Sequence, residues 1–369
     1  MKRKGNILLY PLSLIYGAIT SFRNFLYNSS VLKSVEFDIP VICVGNITVG
    51  GTGKTPHCEY IINLLHCEFR VAFLSRGYKR KSKGFVIAED HMNASDIGDE
   101  AFQIFRKFPG ITVAVDSDRT RGIRLILEKN PKTQVIILDD GFQHRKVTPG
   151  FTVLLTDYSR LMIHDHMLPY GDLRESASNM SRADIILITK TPPDITPIQR
   201  RIIVKDMNKA PWQNLYFTSV VQLEPQPVFP SDHRREISLT EEYKHETGIV
   251  LVTGIARSEL FTEHFSKFAS DIIHLSFADH HMFTSEDIDA ISGSFARLQK
   301  SRKYIITTEK DAVRILEFTN IAEPERSSFY YIPSGIYFLN DDTAEFNNLI
   351  TDYVRKNKRN RKFSQEKRI

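Results

Sequence analysis

The sequence is poor in cysteine, and its cysteines follow no metal-binding or disulfide pattern. Only three occur among 369 residues, and no two of them are spaced as C-x-x-C. An odd number of scattered cysteines argues against a disulfide framework and against a zinc ribbon. The sequence therefore favours a reducing compartment such as the cytoplasm.

No apolar run is long enough to cross a membrane as a helix, but the amino terminus has an apolar stretch. The apolar run within residues 5–20 is about 14 residues long, shorter than the roughly 20 residues that a spanning helix needs. Pro11 interrupts the run and no small-residue cleavage pattern follows, which argues against a secretory signal. Two interpretations stay open, and they are compatible. In one, the segment lies in a membrane interface with Lys2, Arg3 and Lys4 near lipid head groups. In the other, it is a first helix packed on the domain.

The positive charge of the chain is concentrated at its carboxyl end. The net charge is +5, yet residues 355–369 carry eight Lys or Arg and one Glu, so the rest of the chain is at −2. Such a tail is typical of a solvated end or of attraction to an anionic surface. No basic patch interleaved with aromatic residues accompanies it, so we expect no nucleic-acid partner.

Apolar, largely β-branched runs alternate with helical patterns through the first two hundred residues. Continuous apolar runs are typical of strands that are covered on both faces of a sheet. Their alternation with helical patterns predicts an α/β fold with a mainly parallel sheet. The predicted strands are Ile39–Gly45, Val71–Ser75, Ile111–Val115, Gln134–Leu138, Phe151–Thr156 and Asp184–Thr189. Predicted helices between them include Thr55–Leu65, Glu100–Phe108 and Arg119–Lys129.

The pattern changes after residue 208, where a further strand, Leu215–Leu223, leads into a Pro- and charge-rich stretch. Alternation then resumes with the predicted strands Gly248–Thr253, Ile272–Phe277 and Lys303–Thr308. At roughly 100–200 residues per domain, the chain is long enough for two domains. We predict a first domain over 1–215, a smaller α/β domain over 216–340, and a terminal helix with the basic tail over 341–369.

The clearest local signal lies at residues 41–56, where a buried strand enters a glycine-rich turn and a helix begins. Glycines let backbone N–H groups surround a phosphate, and the helix N-terminus adds a favourable dipole. Lys54 is placed to reach the β- and γ-phosphates, and the Thr55 hydroxyl to bind Mg²⁺. The first glycine of the usual pattern is here Thr48. The predicted nucleotide-binding residues are Thr48, Val49, Gly50, Gly51, Thr52, Gly53, Lys54 and Thr55.

A second acidic signal follows the predicted strand at 134–138. Asp139 and Asp140 stand at its carboxyl end, the edge at which open α/β sheets bind ligands. One of them would hold Mg²⁺ directly or through water. The sequence does not decide which of the two does so.

A phosphotransferase also needs a group that orients or deprotonates the acceptor. Asp99 stands just before a helical pattern, where it could equally be a helix cap. The sequence Asp279-His280-His281 follows a predicted strand, and its histidines could orient a base, bind a metal or fill a turn. From spacing alone these alternatives stay open.

Taken together, the motifs resemble one known family, the tetraacyldisaccharide 4′-kinases of lipid A biosynthesis. The resemblance extends over about residues 5–335, and the family's loop also has a small hydroxyl residue at the position of Thr48. The blocks that carry it are GNITVGGTGKTP, LSRGY at 74–78, GDE at 98–100, DDGFQH at 139–144, LRE at 173–175, ITK at 188–190, FADHH at 277–281 and TTEKDAVR at 307–314.

The resemblance implies a reaction and a setting. It implies transfer of the γ-phosphate of ATP to the 4′-hydroxyl of a lipid A disaccharide 1-phosphate, giving the 1,4′-bisphosphorylated intermediate. It also implies a P-loop NTPase-like domain joined to a smaller α/β domain by a β-type linker. The enzyme would be peripheral on the cytoplasmic face of the bacterial inner membrane, with no obligate protein partner.

The resemblance further implies roles for individual residues. Lys54 and Thr55 would serve the phosphates and Mg²⁺, and Asp139 and Asp140 the metal region. Asp99 would pair with His280 to activate the sugar hydroxyl, with His280 preferred to His281 because it directly follows Asp279. Two further residues would contribute near the site, Glu175 and Arg119.

Two other functions compete with this interpretation. A membrane-associated P-loop ATPase switch has a similar loop, but it carries a second lysine where this chain has Val49. A soluble kinase of a small metabolite would not need the apolar amino terminus.

Overall fold

The computed structural model describes residues 6–229, 237, 239–254, 259–278, 281–318 and 320–357. These residues form two units. The larger comprises the described residues of 1–92, 96–221 and 335–369, and the smaller those of 93–95 and 222–334. The chain therefore enters the smaller unit after Val221, later than the boundary predicted after residue 215, and the terminal helix belongs to the larger unit.

The secondary structure of the larger unit alternates as the sequence predicts. Its strands are β1 Val41–Asn46, β2 Val71–Ser75, β3 Val86–Ile87, β4 Thr112–Val115, β5 Val135–Asp139, β6 Phe151–Asp157, β7 Ile185–Thr189 and β8 Asn214–Gln222. Its helices are α1 Tyr10–Asn28, α2 Lys54–Leu65, α3 Ala94–Ile97, α4 Asp99–Lys107, α5 Arg119–Lys129 and α6 Pro197–Met207. The first two residues of α3 are assigned to the smaller unit.

The remaining elements continue this numbering. The strands are β9 Gln226–Pro227, β10 Thr247–Thr253, β11 Asp271–Ser276, β12 Arg302–Thr308, β13 Phe329–Ile332 and β14 Ser334–Phe338. The helices are α7 Glu259–Phe265, α8 Ser285–Arg297, α9 Glu309–Ile315 and α10 Thr343–Lys356.

The larger sheet has nine described strands in the order β14-β8-β7-β6-β1-β5-β2-β4-β3. β1 lies inside it and pairs in parallel with β5 on one side and β6 on the other. The pairs β2–β4, β2–β5, β6–β7 and β7–β8 are also parallel, whereas the short β3 runs antiparallel to β4. The predicted α/β class with a mainly parallel sheet is confirmed. Parallel pairing brings the carboxyl ends of β1, β5, β6 and β7 to one edge of the sheet.

The strand sequences explain the position of this sheet. Every residue of β1, β2, β5 and β7 is buried, as expected of near-continuous apolar runs with helices on both faces. Apolar side chains of α5 complete the core on the β2 side, among them Ile123 and Ile126. This packing fixes the sheet edge on which the polar strand ends stand.

The smaller unit is a second α/β layer structure. Its described strands follow the order β11-β10-β12-β13-β9, with β9 antiparallel to β13 and the other pairs parallel. Strand β10 is buried throughout its length. Helices α8 and α9 supply Ile291, Phe295 and Ile315 to its core.

Helix α1 has an unusual distribution of side chains. Its buried residues are polar, Ser13 and Asn24, while its large apolar residues are exposed. Leu12, Ile19 and Phe22, for example, are 53, 64 and 63% exposed. Across the part of the chain that the structure describes, no helix combines the length and apolarity that a membrane span requires.

Candidate phosphate-binding and acceptor site

The glycine-rich turn joins β1 to α2 at the carboxyl edge of the sheet. Gly50 and Gly53 have φ values of +104° and +85°, which only glycine adopts without strain. Gly53 is the residue before the first turn of α2, so the turn leads directly into a helix N-terminus. Thr48, in place of the first glycine, forms an antiparallel bridge with Leu173. An extended, paired position needs no glycine, which explains why this departure is tolerated.

Lys54 begins α2, and its ammonium group lies between two polar side chains. Its Nζ is 3.5 Å from Asn46 Oδ1 and 3.6 Å from Asp140 Oδ1. The amide of Asn46 in turn donates to the Thr52 hydroxyl over 2.8 Å. These contacts direct the lysine toward the inside of the turn, where a nucleotide phosphate would lie.

Asp139 ends β5 and Asp140 follows it, beside this lysine. Burial raises the pKa of the Asp139 carboxyl, with a further contribution from Asp140. Asp139 accepts a hydrogen bond from the Ser75 hydroxyl over 3.1 Å. Burial would also raise the pKa of Asp140, but Lys54 and Arg174 outweigh it and lower that pKa. Asp140 is therefore the more strongly anionic of the two.

Two arginines adjoin the aspartates. Arg174 Nη1 donates to Asp140 Oδ2 over 3.0 Å. Arg119 is buried and donates to the Asp116 and Asp139 backbone carbonyls over 2.9 and 3.3 Å. Burial lowers the pKa of the Arg119 guanidinium, although both aspartates oppose the effect. The structure thus brings Lys54, Asp139, Asp140 and Arg119 together.

A cavity of about 350 Å³ opens beside Asp140 and is bounded on one side by α1. Its lining is strongly basic, with Arg23, Arg76, Arg119 and Arg174, together with Tyr16, His144 and Glu175. The predicted contributor Glu175 is buried and bonded to Arg182 over 2.6 Å and to Asn24 over 3.2 Å. Glu175, which lines the cavity, is therefore bonded to α1 through Asn24.

Asp99 is the first residue of α4 and is half-buried. Gly98 precedes it with φ +89°, and a Cβ there would lie 3.1 Å from both Gly77 Cα and the Tyr78 carbonyl oxygen. Only glycine allows this close approach. The GDE block is thus packed against the LSRGY block, and this contact fixes where α4 and Asp99 begin.

The predicted partner of Asp99, His280, lies outside the described residues, as does Asp279. The next residue, His281, is described. Its Nε2 lies 2.8 Å from Asp287 Oδ2, and its ring stacks on Phe277 at 4.7 Å between centroids. These contacts give the His281 side chain a structural role at the start of α8.

The structure adds residues that the sequence analysis did not single out. Arg174 had a signal, because it is the centre of the LRE block. Asn46 ends β1 immediately before the turn, at a position where an apolar strand residue would be expected. Arg76, which follows β2, also had a signal, because it belongs to the LSRGY block. Arg23 had none, because it reaches the cavity from α1.

A phosphate-binding turn after an interior parallel strand, with acidic residues at the carboxyl end of the neighbouring strand, defines this chain as a P-loop nucleotide-binding protein. The comparison with known proteins is more specific. The family model described as tetraacyldisaccharide-1-P 4′-kinase matches residues 5–355. The chain belongs to this family.

Named relatives agree over nearly the full length. The tetraacyldisaccharide 4′-kinase of Phocaeicola vulgatus is 47% identical over 98% of each chain. That of Bacteroides thetaiotaomicron is 46% identical over 97% of this chain and 95% of its own. The crystal structure of LpxK from Aquifex aeolicus, in complex with ATP, is 26% identical with a TM-score of 0.70. The match covers 94% of this chain and 98% of that one.

These comparisons confirm the predicted family, the P-loop fold class, the kinase activity and the use of ATP. They decide against the two competing functions, a P-loop ATPase switch and a soluble small-molecule kinase.

Proposed function

We propose that this chain transfers the γ-phosphoryl group of ATP to the 4′-hydroxyl of a tetraacyl disaccharide 1-phosphate, using the site around Lys54. One observation carries the assignment of the site. The phosphate-binding turn and the aspartates of β5 adjoin an arginine-lined cavity that is bounded by an outwardly apolar helix. A donor site, a basic site for an anionic acceptor and a surface suited to lipid would thus be adjacent within one unit.

The donor end of the site consists of residues 48–55. N–H groups of the turn and the α2 N-terminus would surround the β- and γ-phosphates. Lys54 would exchange its contact with Asp140 for the transferring group, because a phosphate carries more negative charge than one carboxylate. The lysine would thereby stabilise the charge that spreads over the phosphoryl oxygens during transfer.

The residues present fit a Mg²⁺ ion, and Asp140 fits best as its protein ligand. Asp140 Oδ1 is buried, yet it accepts no hydrogen bond from the described residues. Asp139 is instead held by Ser75, and its raised pKa makes it the weaker ligand. Thr55, in the first turn of α2, would supply a hydroxyl oxygen. When bound, Mg²⁺ would neutralise negative charge on the β- and γ-phosphates.

The cavity is suited to an anionic sugar head group. Four of its lining side chains are arginines, which bind phosphate in a bidentate geometry. We assign Arg119 and Glu175 to the cavity as supporting residues. Asp99, paired with His280, would accept the proton of the 4′-hydroxyl as the phosphoryl group arrives.

The apolar face of α1 fits a membrane surface. Its inner side bonds to the larger unit through polar groups, for example Ser13 Oγ to the Met167 carbonyl over 2.7 Å. Its outer side exposes Leu12, Ile15, Ile19 and Phe22. A helix with this inverted pattern is suited to the boundary of head groups and acyl chains. Under this proposal the two interpretations of the amino terminus would apply together, and the enzyme would act peripherally on the cytoplasmic face of the inner membrane.

Phosphate transfer from labelled ATP to purified tetraacyl disaccharide 1-phosphate in micelles tests this proposal. We expect labelled lipid with the unmodified chain and a loss of about a hundredfold or more for Lys54→Ala and for Asp99→Ala. Lys205→Met, which changes an exposed lysine on α6, serves as the control and should match the unmodified chain. ATP hydrolysis without labelled lipid, or full activity in either site variant, would contradict the proposal.

A further inference from the structure

The backbone carbonyl groups of the phosphate-binding turn are held individually from outside the turn. Arg160 Nη2 donates to the Val49 carbonyl over 2.6 Å, and Lys190 Nζ to the Gly51 carbonyl over 2.5 Å. His57 Nδ1 lies 2.7 Å from the Gly53 carbonyl. Three side chains from three different segments therefore hold the carbonyls of residues 49, 51 and 53. None of the three is among the predicted site residues. The Thr189 hydroxyl at the end of β7 also donates to the Thr52 carbonyl, over 2.9 Å.

Each of these side chains also has a second partner that fixes it in place. Arg160 forms an ion pair with Asp172. Lys190 Nζ lies 3.0 Å from Asp157 Oδ2 at the end of β6. His57 is buried, and its Nε2 lies 2.9 Å from the Thr218 hydroxyl on β8. With its Nδ1 donating to a carbonyl, the neutral ring accepts at Nε2 from Thr218.

The backbone conformation of Lys190 indicates that surrounding residues hold it in position. It follows β7 with φ +53°, a left-handed conformation that is costly for a residue with a side chain. The conformation turns the chain at the point where the lysine contacts both the turn and Asp157. Strain of this kind persists only where the surroundings enforce it.

The geometry of the peptide bond links these contacts to phosphate binding. A peptide unit is planar and trans, so its N–H points away from its C=O. Holding the Val49 and Gly53 carbonyls therefore sets the directions of the Gly50 and Lys54 N–H groups. Converging N–H groups of this kind form an anion-binding concavity. They stabilise a bound anion most when they are already oriented before it binds.

We infer that Arg160, Lys190 and His57 are positioning residues that hold the turn in the conformation that receives the ATP polyphosphate. The inference rests on the proposed placement of the phosphates at residues 48–55. It predicts that loss of any of the three weakens ATP binding without affecting the acceptor.

Lys190 is the best position for a test, because its side chain is 44% exposed and its removal leaves the core intact. We expect Lys190→Met to raise the KM for ATP and the directly titrated ATP dissociation constant about tenfold. That is the equivalent of one charge-assisted hydrogen bond. The KM for the lipid acceptor and the melting temperature should stay close to those of the unmodified chain. Lys190→Arg, which keeps a donor and a charge, should restore much of the ATP affinity.

The other two residues and a control complete the experiment. Arg160→Met and His57→Leu should weaken ATP binding in the same way, and His57→Gln, which can still donate, should weaken it less than His57→Leu. Lys205→Met again serves as the matched control and should leave both KM values unchanged. Asp157→Asn, which removes the anchor of Lys190, should produce part of the Lys190→Met effect.

The outcomes separate this inference from the proposed site. If Lys54→Ala retains full activity, the placement of the phosphates is wrong. If Lys54→Ala is inactive but Lys190→Met, Arg160→Met and His57→Leu all bind ATP normally, the positioning role is wrong. If the KM values for ATP and lipid rise together while the melting temperature falls, these residues serve only general stability, and the inference is likewise overturned.

Discussion

Asp139 and Asp140 are adjacent in the chain, but their carboxylates have opposite electrostatic surroundings. Burial dominates at Asp139 and raises its pKa, whereas Lys54 and Arg174 hold the pKa of Asp140 low. The backbone explains how neighbours differ so much. β5 ends at Asp139, and Asp140 then takes a left-handed conformation with φ +47°. The second carboxylate therefore turns away from the interior and toward the lysine.

This difference leads to a prediction for the metal. Asp140→Asn should lower the rate about a hundredfold or more and raise the Mg²⁺ concentration needed for half-maximal rate, because it removes the stronger anionic ligand. Asp139→Asn should have the smaller effect on the Mg²⁺ requirement. Initial rates over a Mg²⁺ titration at saturating ATP measure both, with the exposed Asp352→Asn as control. A larger Mg²⁺ shift for Asp139→Asn would reverse the assignment.

His144 gives a prediction about pH. Burial, and then the charge of Arg119, lower its pKa from 6.5 to about 4. Between these values the unfolded chain binds a proton that the folded chain does not, so the free energy of unfolding falls as the pH falls. His144→Gln removes this contribution. The urea concentration at the unfolding midpoint should therefore decrease less between pH 7.5 and pH 5 for the variant than for the unmodified chain. Equal decreases would mean that His144 titrates normally in the folded chain.

At the scale of elements, the start of α4 depends on one glycine. Gly98→Ala would place a Cβ against the backbone of Gly77 and Tyr78 at a φ of +89°. We expect a cost of about 1–3 kcal/mol in the free energy of unfolding, together with a loss of activity because Asp99 is the next residue. Thermal unfolding and lipid phosphorylation measure the two effects.

Gly110 provides the control for this prediction. It also has a positive φ, +98°, but an added Cβ would meet nothing within 4 Å. Gly110→Ala should therefore lose some stability from backbone strain and keep its activity. Loss of activity in both variants would show that the effect at Gly98 is not specific to the position of Asp99.

Helix α1 leads to a prediction about membranes. Replacing Leu12 and Ile19 by Gln should lower binding to anionic phospholipid vesicles about tenfold or more, since each large apolar side chain buried in lipid contributes about 1.5–3 kcal/mol. The melting temperature should not change, because both side chains are exposed. The same change at Ile198 and Ile202, which are exposed on α6, should leave vesicle binding unaltered. Equal vesicle binding by all three proteins would exclude the proposed role of α1.

At the scale of the larger unit, residues far apart in sequence close one fold. The chain returns after Ser334 to add β14 beside β8 and to pack α10 on the unit. Phe346 of α10 is buried, with its ring centroid 4.5 Å from that of Phe338 and 6.0 Å from those of Tyr60 and Tyr216. The final helix is therefore part of the core of the kinase unit.

This arrangement predicts the effect of one core substitution. Phe346→Ala should lower the free energy of unfolding by about 3–5 kcal/mol, because it removes a large ring from a packed aromatic cluster. Denaturant unfolding followed by circular dichroism measures the change. Asn348→Ala, exposed on the same helix, should change stability by less than about 0.5 kcal/mol. Similar stability of both variants would mean that α10 is only loosely packed.

The sequence by itself determined the local elements, the nucleotide site and the family. Strands such as β1 and β5 are continuous apolar runs, and the glycine-rich turn has a characteristic spacing. Both patterns can therefore be recognised from a few consecutive residues. The same holds for Lys54, Asp139 and Asp140, because strand ends in a parallel sheet meet at a known edge.

Only the tertiary structure decided which distant side chains meet. Arg174 on Asp140, Lys190 on the Gly51 carbonyl and His57 on Thr218 join segments whose separation along the chain gives no periodic signal. The inverted polarity of α1 was also hidden, because a buried Ser13 and an exposed Leu12 contradict the usual relation between hydropathy and burial. Patterns within a few consecutive residues predict the local conformation of the backbone. Contacts between distant segments depend on the order of the strands in the sheet, which decides which strand ends lie side by side.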